Sequence, residues 1–89
     1  MARKKTEIRT AAGKLTSAIQ KEWGNELGEL HASASEEVMN LSHGFLHAES
    51  AEDLRSLLGG KSIAEYLGVS WVADHPAVKC YIADLEFLL

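Results

Sequence analysis

A regular apolar spacing over residues 6–30 constrains this chain more than any other feature of its sequence. Apolar side chains recur there at steps of three or four residues, at Ile8, Ala12, Leu15, Ile19, Trp23, Leu27 and Leu30. This is the spacing of one face of an α-helix, and no proline interrupts it. We therefore predict one long amphipathic helix, with Thr6 as its N-cap, and expect the remaining chain to pack against it.

Three short motifs predict where the following helices begin. Ser33–Glu36, Ser50–Asp53 and Ser62–Glu65 each place a serine three residues before an acidic side chain, which is a helix N-terminal signature. For the helix after Ser33, the predicted inward face is Ala34, Val38, Leu41, Phe45 and Ala48. No period-two strand pattern occurs anywhere in the sequence.

Glycine and proline mark the remaining boundaries. Gly59–Gly60 and Gly68 suit helix ends, and Pro76 suits the first turn of the last helix. Trp71 and Val72 are assigned to a single turn or a loop between these helices. We predict an all-α fold, a small bundle of four to five helices with a long N-terminal helix. Residues 6–89 form its single helical domain, and residues 1–5 are a disordered basic tail.

Composition excludes several classes of protein. With 89 residues, 46% of them apolar, the chain is one globular domain. Its net charge is −4, and residues 45–89 hold three Lys or Arg against seven Asp or Glu, so phosphate backbones are not expected partners. Cys80 is the one cysteine, no apolar segment follows the basic N-terminus, and no run is long enough to span a membrane. We expect a cytoplasmic protein.

The length of the first helix predicts association. A helix of this span measures roughly 37 Å, whereas a globule of this size is about 30 Å across. The helix must therefore kink near Gly24 or extend beyond its own monomer. The face opposite the apolar one carries small residues, which admit a second backbone, although a solvated face of poor helix formers remains an alternative. The last helix carries a second apolar strip, away from the face formed by Val78, Ile82 and Leu85. The predicted homodimer interface comprises Gly13, Ser17, Gly24, Gly28, Cys80, Ala83 and Phe87.

The segment from Ser62 to Ser70 resembles the first helix and turn of a helix-turn-helix DNA reader. Ala64, Leu67 and Gly68 fall where that motif places its small, inward and turn residues. The resemblance implies an alternative function, a DNA-binding regulator using residues 62–82. Beyond Ser70 the pattern departs, because Asp74 falls on a position expected to be buried and Pro76 falls inside the expected recognition helix.

Two further groups are candidates for chemistry. Glu36, His43 and His47 lie at helical spacing and are candidate metal ligands, with His31 and His75 elsewhere in the chain. A polar helix face in water gives the same pattern. His75 and Cys80 are the only candidate nucleophilic pair, although Cys80 beside Ala83 and Phe87 fits packing better. No phosphate-binding or nucleophile motif occurs, so we expect neither an enzyme nor a bound cofactor.

These observations favour binding over chemistry. We predict a non-enzymatic protein–protein interaction module, such as a small regulatory, adaptor or inhibitor protein. Its expected partners are a second copy of itself and another protein. No small-molecule substrate, membrane or nucleic acid is expected.

Overall fold

The computed structural model describes the backbone of residues 2–30 and 32–89, and the side chains of residues 7–30 and 32–89. These residues contain six α-helices and no strand, so the predicted all-α bundle with a long first helix is confirmed. The helices are α1 (Ala2–Asn25), α2 (Ala32–His43), α3 (Ala51–Leu58), α4 (Ile63–Leu67), α5 (Val69–Asp74) and α6 (Lys79–Phe87). A 3₁₀ turn, Gly44–His47, follows α2, and another, Pro76–Val78, precedes α6. The described residues form one helix more than the predicted four to five. The additional helix is α5, which contains Trp71 and Val72, both buried, where a single turn or a loop was predicted.

From Ile8 to Ile19, α1 packs as predicted. Ile8, Ala12, Leu15 and Ile19 are completely buried and form its inward face. The helix begins at Ala2, so the N-cap predicted at Thr6 is wrong. Alanine, arginine and lysine are good helix formers, and they carry the helix through this basic segment. That residues 1–5 form a disordered tail stays a prediction.

The C-terminal end of α1 differs from the prediction. The helix passes through Gly24 without a break and ends at Asn25, where the chain enters the turn that leads to α2. Leu27 and Leu30 lie in this turn and are 60% and 101% exposed, so their assignment to the apolar helix face is wrong. Gly28 has a φ of +92°, a conformation that glycine adopts readily and that a helix excludes.

The inward face of α2 is offset from the predicted one. Ser35, Val38 and Ser42 are the buried residues of this helix, whereas Ala34 and Leu41 are exposed. The buried serines have local polar partners, since the Ser42 hydroxyl donates to the Met39 carbonyl at 2.7 Å. A serine whose hydroxyl is satisfied in this way can occupy an interior position. Only Val38, with Phe45 and Ala48 after the helix, confirms the predicted face.

Two of the three predicted helix starts are confirmed. The Ser50 side chain accepts from the Asp53 amide at the start of α3, and Ser62 and Glu65 form a reciprocal capping box at the start of α4. The Ser62 backbone and side-chain hydrogen bonds lower the pKa of Glu65. The third prediction is wrong, because α2 begins at Ala32 and Ser33 lies within its first turn.

The long helix lies along the body of the molecule, packed against α2 and α6. The body measures 43 × 22 × 19 Å, and the 24 residues of α1 extend about 36 Å. An elongated body therefore accommodates the helix without a kink at Gly24. The expected mismatch between helix length and body diameter does not occur, because the body is elongated and not spherical.

Candidate functional site

The outward face of α1 carries the predicted small residues. Ser17 and Gly24 are exposed and Gly13 is half-buried. A Cβ atom added at Gly13 or Gly24 would meet no atom within 4 Å, so this surface is open. Gly28 does not belong to it, because it lies in the turn after α1 and its positive φ sets the direction of that turn.

A groove runs beside this face, between α1 and α6. Near the N-terminal half of α1 it encloses about 350 Å³, with Ala11, Tyr81 and Leu88 as its apolar lining. It continues as a shallower depression of about 680 Å³ past Gly13 and Ser17. The charged side chains along the two parts of the groove are Glu7, Lys14, Lys21 and Asp84.

The predicted apolar strip of α6 faces away from the core. Cys80 and Ala83 are exposed, and Phe87 is 89% exposed. The assignment of Cys80 to interior packing is therefore wrong, because Ile82 and Leu85 occupy the inward positions of α6. Asp84 lies one turn from Cys80 and borders the groove, so the strip and the groove wall are adjacent along α6.

A buried polar network lies at the opposite end of α1, and the sequence analysis missed it. The Ser35 hydroxyl on α2 donates to Glu26 Oε1 and accepts from the Trp71 indole Nε1 at 2.9 Å. His75 Nε2 lies 2.6 Å from Glu26 Oε2, and its Nδ1 lies 2.7 Å from the Trp71 carbonyl oxygen. The rings of His75 and Trp71 stack with centroids 4.0 Å apart. The network thus joins the turn after α1 to α2 and α5.

The partners of His75 fix its protons. A carbonyl oxygen can only accept, so Nδ1 carries a hydrogen and donates it to Trp71. A neutral imidazole would then present the lone pair of Nε2 to a carboxylate oxygen. A proton between the two atoms, as in an imidazolium–carboxylate pair, makes this 2.6 Å contact favourable.

The surroundings of His75 favour the charged ring. Burial has the largest single effect and lowers the pKa of His75. The hydrogen bonds to the Trp71 carbonyl and to Glu26, with the negative charges of Glu26 and Glu22, outweigh it, so the pKa is raised above the ordinary 6.5. His75 is 7% exposed, so the pair lies largely out of water.

A cavity of about 650 Å³ opens beside this network. Its lining residues are Glu26, Ala34, Ser70, Trp71, Asp74 and His75. The imidazole that borders it has both ring nitrogens engaged, so it offers no free base to a bound molecule. Neither ring nitrogen is paired with the predicted partner Cys80, whose thiol donates to the Ala77 carbonyl oxygen at 3.9 Å.

The candidate metal ligands are not assembled into a site. Glu36, His43 and His47 are all exposed. The 3₁₀ turn that begins at Gly44 changes the helical register between the two histidines. Within residues 7–30 and 32–89, no group of three or more His, Cys, Asp or Glu side chains is placed to hold a metal ion. His31 lies outside the described residues.

The segment that resembles a DNA reader has short elements. A single residue, Gly68, joins α4 to α5, and α5 has six residues. Its exposed side chains include Val69 and Asp74, and it contains neither lysine nor arginine. Pro76 begins the 3₁₀ turn after α5, outside any recognition helix.

Comparison with protein-family models, with curated proteins and with solved structures yields no match to this chain. The helices of the described region include none with the length and apolar character needed to cross a bilayer.

Proposed function

We propose that this protein is a non-enzymatic protein–protein interaction module that acts as a homodimer, of the kind found among small regulatory, adaptor and inhibitor proteins. The observation that carries the proposal is the exposure of Phe87, which is 89% exposed and lies on α6, the helix whose Tyr81, Asp84 and Leu88 line the groove. Burying a phenylalanine side chain stabilises a complex by roughly 1.5–3 kcal/mol. Aromatic side chains of this kind are common anchors at interfaces.

The adjoining surface suits a second copy of the chain. The outer face of α1 bears small side chains at Gly13 and Ser17, which allow a partner helix to approach closely. In a two-fold dimer the same patch meets itself, so Phe87 of one subunit can fill the apolar part of the other subunit's groove. A stable interface needs roughly 600 Å² from each subunit. This is about a tenth of the 5454 Å² that the chain exposes.

The charges along the groove also favour self-association. Glu7, Lys14 and Lys21 lie on the α1 side, which is net positive, and Asp84 lies on the α6 side. Placing α6 of one subunit over α1 of the other can bring Asp84 close to Lys14 and Lys21. Such pairs fix the relative alignment of the two subunits more than they increase affinity. No observation of this kind favours the DNA-binding alternative, since α5 lacks the cations that phosphate contacts require.

The test is the mass of the particle in solution. Multi-angle light scattering of the wild-type chain is expected to give twice the 9.7 kDa chain mass. Phe87→Asp is expected to give the monomer mass, because it places a charge where the partner must exclude water. The matched control is Val69→Asp on α5, which alters a side chain that is 61% exposed and does not line the groove.

Each outcome decides the proposal. A monomeric Phe87→Asp variant with a dimeric Val69→Asp variant supports it. A monomeric wild type, or a dimer that survives Phe87→Asp, overturns it. Circular dichroism of the two variants shows whether either substitution has unfolded the chain.

A further inference from the structure

We propose that Glu26 and His75 form a proton-dependent latch that holds the turn between α1 and α2 against α5. The latch is closed while the imidazole is doubly protonated and opens when it loses a proton. The proposal is independent of homodimer formation, because it concerns the end of the molecule away from the α1–α6 groove.

The geometry places one contact at the junction of three elements. Glu26 begins the turn after α1, and its two carboxylate oxygens have different partners. Oε1 accepts from Ser35 on α2 and Oε2 pairs with His75 at the end of α5. The backbone hydrogen bonds of the described part of the turn include the Glu29 amide to the Glu26 carbonyl at 2.9 Å and the Ala32 amide to the Glu29 carbonyl at 3.2 Å.

Loss of the proton removes the attraction and adds a repulsion. With Nδ1–H committed to the Trp71 carbonyl, a neutral ring presents the Nε2 lone pair to Glu26 Oε2. The two acceptors cannot remain at 2.6 Å without a proton between them. Hydration then stabilises the Glu26 carboxylate more than its buried position does, and the turn that carries it moves away from α5.

Among the described residues, the charged groups that act on the ring favour closure at lower pH. Glu26 and Glu22 face it from the turn and from α1. The Asp74 carboxylate lies on the same cavity wall on α5, and α2 contributes the neutral Ser35 hydroxyl. The cations Lys79 and Arg55 are exposed on other elements. The negative charges of Glu26 and Glu22 stabilise the imidazolium over the neutral ring.

The sign of the pH dependence follows from linkage. The pKa of His75 is raised in the closed state above its ordinary 6.5. The latch is therefore fully closed below pH 6.5 and weakens as the pH rises through the pKa of the closed state. Between pH 6.5 and the pKa of the closed state, the ratio of open to closed molecules rises by up to about tenfold per pH unit. Above the pKa of the closed state, this ratio is constant.

The experiment is an NMR titration of the full chain from pH 5.5 to 9. It follows the His75 ring signals together with hydrogen-exchange protection factors, corrected for intrinsic exchange, at the Glu29 and Ala32 amides. We expect His75 to titrate above pH 6.5 and the protection of both amides to fall over the same interval. Protection that stays constant while His75 titrates overturns the proposal.

Glu26→Gln is the decisive variant. Its amide can donate to a neutral Nε2 while its oxygen still accepts from Ser35, so the closed turn now prefers the uncharged ring. We expect the pKa of His75 to fall below 6.5 and the protection of Glu29 and Ala32 to increase, not decrease, as the pH rises. Wild-type behaviour in this variant overturns the latch. His43→Gln, which removes an exposed histidine, is expected to leave the wild-type curve unchanged.

Discussion

His75 Nε2 and Glu26 Oε2 lie 2.6 Å apart, although 49 residues separate them in the sequence. The contact closes the end of the bundle opposite the α1–α6 groove. It is largely shielded from water, with 8% of the His75 side chain and 14% of the Glu26 side chain exposed. The pair therefore couples protonation to the packing of the turn that follows α1.

Removing one partner of this pair is expected to destabilise the fold in a pH-dependent way. Breaking a buried ion pair costs about 3–5 kcal/mol, and the partial exposure of Glu26 places Glu26→Ala at the low end, near 3 kcal/mol at pH 6. The cost should shrink as the pH rises through the raised pKa of His75, because the wild-type pair is then already lost. Urea unfolding at pH 6 and pH 9 measures both values. Glu22→Ala, which alters a nearby charge without a hydrogen bond to the ring, should cost about 0.5 kcal/mol or less.

Ser35 and Trp71 are expected to be energetically coupled. Ser35→Ala removes the acceptor of the buried Trp71 indole N–H and should lower the free energy of unfolding by about 1–3 kcal/mol. In a Trp71→Phe background there is no indole N–H to leave unpaired, so the same change should cost about 1 kcal/mol less. A double-mutant cycle by chemical denaturation gives the difference. Strictly additive costs would contradict the coupling.

Gly13 and Gly28, both predicted interface residues, should respond in opposite directions to alanine. Gly13 lies inside α1 with open space around it, so Gly13→Ala should raise the stability of the subunit by about 0.8–1.0 kcal/mol. Gly28 has a φ of +92°, so Gly28→Ala should destabilise the turn by roughly 1 kcal/mol. Thermal unfolding of the two variants at equal concentration compares them. Gly13→Leu introduces a larger side chain and should weaken the proposed dimer, which light scattering would show as a mass closer to that of the monomer.

The thiol of Cys80 should report on the proposed interface. It is exposed in the single subunit and lies on the same strip as Phe87. Its rate of reaction with a disulfide reagent should fall as the protein concentration rises, because the partner covers it. In Phe87→Asp the rate should be fast and independent of concentration. A concentration-independent rate in the wild type would place Cys80 outside any dimer contact.

The sequence predicted those parts of the fold that depend on local chemistry. The periodic face from Ile8 to Ile19 and the capping serines Ser50 and Ser62 are short-range patterns, and the structure confirms them. The predicted inward face of α2 contained Ala34 and Leu41, each one position before the buried Ser35 and Ser42. A prediction from hydrophobic spacing places serine on the surface. Only the structure shows that the Met39 carbonyl accepts from the Ser42 hydroxyl and that the Glu26 carboxylate accepts from the Ser35 hydroxyl.

The buried network was beyond prediction for a related reason. Glu26 belonged to no predicted site, and His75 was considered only as a partner of Cys80 and as a further candidate metal ligand. What brings Glu26 and His75 together is the end of α1 at Asn25 and the packing of α5, neither of which a local pattern encodes. One sequence signal lies next to the network, because Pro76 biases His75 away from the helical conformation and so favours the end of a helix there.

The shape of the subunit affects how its size can be measured. A body 43 Å long and about 20 Å wide experiences more friction as it diffuses than a sphere of equal volume. It therefore elutes early from a sizing column, at a position that a compact protein of greater mass would occupy. A sedimentation experiment separates friction from mass, and the frictional ratio it yields will distinguish two rods side by side from two rods end to end.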